Sequence, residues 1–233
     1  MIVEPNYNEP VAIEDKILFL YLLVKMPDQK LTTIESMKMV FFVKAEAYFQ
    51  KKFLFRAQFF RGDKGPVAQH VYDLRREFAS EQVGRVELKP GHSCDTEYLA
   101  IDPGAAPILG WIESYAFNNP WAFDLVDVVV KKYGRLTWRE RQKAIYALKI
   151  NGRTIREYAP KEIIAMPARE DWTIFIIPEK SHLLLKQLMI SDKRQEIEKK
   201  RDRDFCYLVT LPLLREDWDS EGDKKAWQPP VKT

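Results

Sequence analysis

Glycine, cysteine and histidine are all scarce in this chain of 233 residues, which holds 9 glycines, 2 cysteines and 3 histidines. No glycine-rich loop able to cradle phosphates is present, so a bound nucleotide has no support in the sequence. Cys94 and Cys206 lie far apart and form no Cys-x-x-Cys pair, which gives no disulfide framework and fits a reducing compartment. His70, His92 and His182 are scattered outside any metal-ligand spacing, so no metal or cofactor is expected. Long hydrophobic runs are missing too. The longest, Ile17 to Val24, is far too short to span a bilayer. The opening Met1-Ile2-Val3-Glu4-Pro5-Asn6 has no basic stretch ahead of an apolar one, as a secretory signal would. Without repeats or low-complexity tracts, the expectation is a soluble, cytoplasmic protein that does not engage a membrane.

What the chain does hold is apolar residues (46%), enough for a sizeable core, arranged largely at helical spacing. Ile13, Ile17, Leu20, Tyr21 and Val24 predict an amphipathic helix that Pro27 stops. Thr32-Thr33-Ile34-Glu35 is a capping box, in which Thr32 and Glu35 satisfy each other's free backbone N–H groups. The helix it opens carries Ile34, Met37, Phe41, Ala45 and Tyr48 on one face, and Met37, Met39, Phe41 and Phe42 read as core. The run Phe53 to Phe60 holds four phenylalanines and reads as a short strand or an ordered loop; any ring left outside would form an interface patch. Gly65-Pro66 reads as a helix entrance, with Pro66 at the first helical position and Val67, Val71, Leu74 and Phe78 on the apolar face.

Val86, Leu88, Tyr98 and Ile101 alternate with polar residues around Pro90-Gly91, predicting a short hairpin. Helices are expected from Ala105 to Phe117 and from Pro120 to Lys132, with Asn119 as the N-cap and Gly134 as the stop. Thr137-Trp138-Arg139-Glu140 is a second capping box. After Pro167 the stretch Trp172 to Ile177 reads as a strand, and Phe205 to Leu211 as a second strand able to pair with it. Between them a helix is expected from Glu179 to about Asp204, and from Asp217 a mobile tail. The fold class that follows is mainly α: a multi-helix bundle with a small β element in the C-terminal third. It divides into a helical domain over 1–160 and a strand-helix-strand flanking segment over 161–233.

Charge is distributed unevenly. The net charge is +3, yet residues 131–161 hold ten basic and two acidic side chains, so the rest of the chain is net acidic. Such a segment suits an acidic protein or a nucleic acid, and the helix–Gly134–helix layout over 124–150 resembles a helix-turn-helix. The string Gly91-His92-Ser93-Cys94-Asp95 holds the residue types of a nucleophile and its base, but lacks a third group to orient the base. It reads as a polar turn, and no catalysis is expected.

Three elements occur together: the capped helix with Met37-Lys38-Met39-Val40-Phe41-Phe42; an aromatic approach to Gly65-Pro66-Val67 followed by Val71-Tyr72; and Val128-Val129-Val130-Lys131-Lys132-Tyr133-Gly134-Arg135-Leu136-Thr137 leading into a capped helix. Over residues 12–150 the chain resembles the Panacea family of SocA-like antitoxin domains. Asp63 and Lys64 stand where that family carries an aromatic residue, and Ala147-Leu148-Lys149-Ile150 replaces its closing Thr-His and Gly-Pro-Trp elements. The resemblance implies a mostly helical domain that binds and neutralises a cognate toxin protein, or hands it to a protease as an adaptor. It also puts residues 165–233 in the partner-selecting role. The expected contacts are Phe59, Phe60, Lys64, Gly65, Pro66, Tyr72, Arg135, Trp138, Arg139 and Lys143. The alternative expectation is a DNA-binding transcriptional regulator that uses the basic segment.

Overall fold

Two helices that are apolar on almost every side must lie inside the molecule, and the rest of the chain arranges itself around them. They are α1 (Ile13–Lys25), with every residue from Glu14 to Leu23 buried, and α2 (Thr33–Phe49), buried throughout from Ser36 to Ala45. The amphipathic α1 expected from the sequence is thus a central helix. A computed structural model describes residues 12–80, 83–89, 96–102, 105–118 and 120–177, all within one compact unit of residues 1–191. Around the central pair run α3 (Gln69–Ser80), α4 (Ala106–Asn118), α5 (Pro120–Tyr133) and α6 (Trp138–Ala147). α5 packs on both α1 and α2; Tyr21 lies edge-on to Phe123, and Phe42 stacks on Tyr133 at 3.8 Å between ring centroids.

The expected mainly helical bundle is corrected. Among the described residues ten short strands in four small sheets accompany the six α-helices, so the fold is mixed α/β. Nor are the strands confined to the C-terminal third. β1 (Lys30–Thr32) pairs antiparallel with β6 (Thr96–Ile101), which pairs antiparallel with β5 (Gly84–Lys89), giving the expected hairpin an unforeseen third strand. β3 (Phe59–Gly62) lies between β4 (Gly65–Val67) and β9 (Ile163–Ile164). β2 (Lys52–Phe53) pairs parallel with β10 (Thr173–Ile174), and β7 (Lys149–Ile150) pairs antiparallel with β8 (Arg153–Thr154). These ladders are two to six residues long, too short to impress a period of two on the sequence. They form because backbone N–H and C=O groups passing over a packed core need partners.

The Gly65-Pro66 helix entrance is also corrected. Both residues belong to β4, an edge strand where the missing N–H of Pro66 costs no ladder bond, and the helix begins at Gln69. Gly65 sits at φ +118°, a backbone region closed to side chains, as it turns the chain back so that Gly62 faces Gly65. Trp172 to Ile177 contributes only Thr173–Ile174 as a strand, paired with β2. Its expected partner Phe205–Leu211, the helix from Glu179, and the Asn119 cap lie outside the described residues. The core extends past residue 160, taking in Ile164, Met166, Phe175 and Ile177.

Buried polar groups fasten the layers. Arg75 on α3 donates to the Leu31 carbonyl at 2.8 Å and to Ser36 Oγ at 2.9 Å, and reaches Glu97 at 3.0 Å, tying α3 to β1, α2 and β6. Lys16 pairs with Glu77 at 2.6 Å, and the Tyr21 hydroxyl donates to Asp127 at 3.0 Å. Lys44, buried in α2, donates to the Phe55 carbonyl at 2.6 Å.

Candidate functional site: a cationic junction of helix and hairpin

The β3–β4 hairpin and α6 meet over the N-terminal half of α2, and each is placed by a local sequence signal. Thr32 caps α2: its Oγ1 accepts from the Glu35 N–H at 3.2 Å, and its own N–H donates to Glu35 Oε2 at 3.0 Å. Thr137 caps α6 in the same way with Glu140, at 3.3 and 2.8 Å. A third capping box, Thr154 with Glu157, opens the 3-10 turn Ile155–Glu157 and was not anticipated. Gly134 stops α5 as expected but for a different reason than a left-handed backbone. A Cβ there would come within 2.5 Å of the Val130 carbonyl oxygen, so glycine permits the chain to fold back tightly.

Arg141 locks α6 to this corner. Its guanidinium donates to the Tyr133 carbonyl at 3.1 Å, to the Gly134 carbonyl at 3.0 Å and to Glu35 Oε1 at 2.5 Å. Burial acts to raise the Glu35 pKa, but the Thr32 N–H and the Arg141 guanidinium outweigh it, and the carboxyl titrates below its usual range. On the other side of α6 the Tyr146 hydroxyl donates to the Asp63 carbonyl at 2.9 Å, while the Arg61 guanidinium lies 5.2 Å from the Tyr146 ring centroid. Burial, partly opposed by Arg61, raises the Tyr146 pKa.

Lys38 is the unusual member. It is 2% exposed, and its Nζ makes no hydrogen bond among the described residues. It lies 4.4 Å from the centroid of the Trp138 ring. Burial first, then the charges of Arg141 and Lys64 set against that of Glu35, brings its pKa down to about 8.

The expected contact residues are distributed as follows. Trp138, at the start of α6, covers Lys38, and the charge of Lys64, in the hairpin turn, reaches the same lysine, with Gly65 and Pro66 in the adjoining strand. Arg139 and Lys143 lie exposed on the outer side of α6, with Arg135 exposed ahead of it. Phe59 is not available to a partner: it is fully buried, edge-on to Phe41. Phe60 is half-buried, paired in the ladder with Val67 and Ile163, and Tyr72 is half-buried on α3. Among the ten basic residues in 131–161, Arg141 is tied internally as above, Arg153 holds Glu162 at 2.6 Å, and Lys132 and Arg156 lie over the Tyr133 and Tyr146 rings. Lys38 is the residue that sequence reasoning missed, and Arg141 was read there only as one of the basic residues of 131–161 that would serve the DNA-binding alternative. The available signal was a lysine inside the apolar run Met37 to Phe42, since a charge there must be buried and must matter.

Asp15, 2% exposed, accepts the Arg56 N–H at 2.9 Å and faces His70 Nε2 at 2.6 Å, joining α1 to α3. His92, Ser93, Cys94, Asp95, His182 and Cys206 lie outside the described residues. Among the described residues, no group of three His, Cys, Asp or Glu side chains could hold a metal ion, and no helix is long and apolar enough to cross a membrane. No family model, characterised protein or solved structure matches the chain.

Proposed function

We propose that this chain is a protein-binding antitoxin of the Panacea type, which neutralises a toxin protein by docking it on the junction of the β3–β4 hairpin and α6. The observation that carries the reading is the convergence of Lys64, Trp138 and buried Lys38, beside the exposed cations Arg135, Arg139 and Lys143. A half-exposed tryptophan framed by cations is a strong anchor for another protein, and the charge selects an acidic surface. Arg141 and the two capping boxes hold this ensemble in place before any partner arrives, which lowers the ordering cost of association. The sequence motifs that suggest the family fall on this corner: Met37 to Phe42 on α2, Gly65-Pro66-Val67 in β4, and Tyr133-Gly134 ahead of the Thr137 cap.

The test is co-expression with the product of the adjacent reading frame, with growth and co-purification as readouts. The expected result is rescue of growth by the wild-type chain, and its loss when Arg139 and Lys143 are both changed to glutamate. Absence of both rescue and co-purification overturns the reading. Duplex DNA binding that weakens steeply with salt would replace it with the regulator reading, since that slope counts phosphate contacts.

A further inference from the structure

We propose that Lys38 forms the floor of a carboxylate-receiving pocket roofed by the Trp138 indole, into which an acidic side chain of the protein partner inserts. The inference rests on the protein-binding reading and specifies the group recognised. A buried ammonium is costly unless it is paired and hydrogen-bonded, and Lys38 Nζ hydrogen-bonds to nothing among the described residues. Arg141 and Lys64 share its sign, and Glu35 is the opposing charge. Both Glu35 oxygens already have partners: Oε1 takes Arg141, and Oε2 takes the N–H and hydroxyl of Thr32. Glu35 therefore opposes the Lys38 charge through space without hydrogen-bonding it.

Trp138 provides the entrance. Its ring covers Lys38 from 4.4 Å, yet the residue is 38% exposed and stands at the first position of α6. The Thr137–Glu140 box fixes the helix start independently of that ring, so the indole can swing outward while the backbone stays in place. The pocket suits a carboxylate on an aliphatic stem better than a free phosphate. Three of the five Arg141 N–H groups go to two carbonyls and Glu35, and the Lys38 ammonium, none of whose donors is taken among the described residues, is the group left to receive a ligand. Phosphate would have its further oxygens buried without donors.

The test uses the full chain labelled with carbon-13 at lysine Cε, in which Lys38 is identified by its ring-current displacement over Trp138. The amine is titrated alone, with a blocked glutamate-rich hexapeptide, with the glutamine counterpart, and with inorganic phosphate. Its pKa, near 8 in the free protein, is expected to rise by about one unit with the glutamate peptide, as an added ion pair requires. It should not move with the glutamine peptide. No shift with glutamate, or an equal shift with phosphate, overturns the inference. Lys38→Met supplies the second arm: it should fold, and lower affinity for the co-expressed partner by about tenfold or more. Undiminished affinity in a folded Lys38→Met chain sinks the pocket and leaves the docking reading standing. Absence of both rescue and co-purification with the wild-type chain sinks the docking reading, while the peptide titration still decides the pocket.

Discussion

Glu35 does two jobs with two oxygens, closing the cap of α2 and neutralising buried Arg141, so its loss should cost more than that of an ordinary cap. Thr32→Ala removes cap bonds alone and should destabilise the chain by about 1 kcal/mol in urea unfolding. Glu35→Ala also strands the Arg141 guanidinium and should cost about 3–5 kcal/mol. Equal losses would show that the bridge contributes nothing. Lys38 presents the opposite case, a charge whose burial is unfavourable. Its folded-state pKa is about 8, against the ordinary 10.5. Between those values the unfolded chain keeps a proton that the folded chain has released, so folding is increasingly favoured as pH rises through this window. Below about pH 8 the full penalty applies. Lys38→Met removes it, and the variant should exceed the wild type at pH 7 by about 2–3 kcal/mol, the gap closing as pH approaches 10. Lys44, likewise lowered by burial to about 8, contributes the same slope to both chains and cancels in the comparison. The raised pKa values of Tyr21 and Tyr146 act in the opposite sense above pH 10, which bounds the useful range. A gap that stays constant from pH 7 to 10 would contradict a buried amine without a hydrogen bond.

Elements whose signals are local could be read from the sequence, and those decided by distant pairing could not. The capping boxes at Thr32 and Thr137, the stop at Pro27 and the start of α5 at Pro120 each depend on a few neighbouring residues, and each boundary stands within a residue or two of where it was read. Gly65-Pro66 misled because glycine followed by proline suits two structures equally: a helix entrance and an edge strand leaving a tight turn. What decides is Phe60 pairing with Val67 across the turn, and Ile163 joining from a hundred residues away. Trp172 to Ile177 shows the same limit, since its partner is Lys52–Phe53. At the site, Lys64 and Trp138 were legible as a cation and an aromatic beside Gly65-Pro66 and the Thr137 cap, whereas Lys38 stood inside the apolar run Met37 to Phe42 and was passed over with it. The hairpin reading has its own check. Gly65→Ala places a side chain at φ +118° and should destabilise the chain by about 1–3 kcal/mol, while Gly110→Ala, on a helix with open space at the Cβ, should not destabilise it. If Gly65→Ala is neutral, the turn is not built as described.

Taken together, the helices and small sheets form a single core that does not end with the helices. Phe175 meets Trp121, Phe123 and Tyr115 edge-on, and Ile164, Met166 and Ile177 are buried with it. A chain ended at residue 160 would uncover that aromatic cluster, as Phe175→Ala alone would in part at about 3–5 kcal/mol. The stability of the whole and the surface it presents are thus separable, and basic residues fall on both sides of the division. Arg141 and Arg153 are structural; Arg135, Arg139 and Lys143 face solvent. Neutralising the basic segment wholesale would confuse the two, because Arg141→Gln strips two carbonyls and Glu35 of their donor and should destabilise the chain by about 3–5 kcal/mol. The informative variant changes Arg135, Arg139 and Lys143 to glutamate and spares Arg141. Its thermal midpoint should stay within a few degrees of the wild type, since exposed charges contribute little to folding. Its association with an acidic partner should slow by about tenfold or more at low salt, and the difference should shrink as salt rises, because steering by exposed charges is screened beyond about 10 Å. An association rate unchanged at low salt would place the docking surface elsewhere on the molecule.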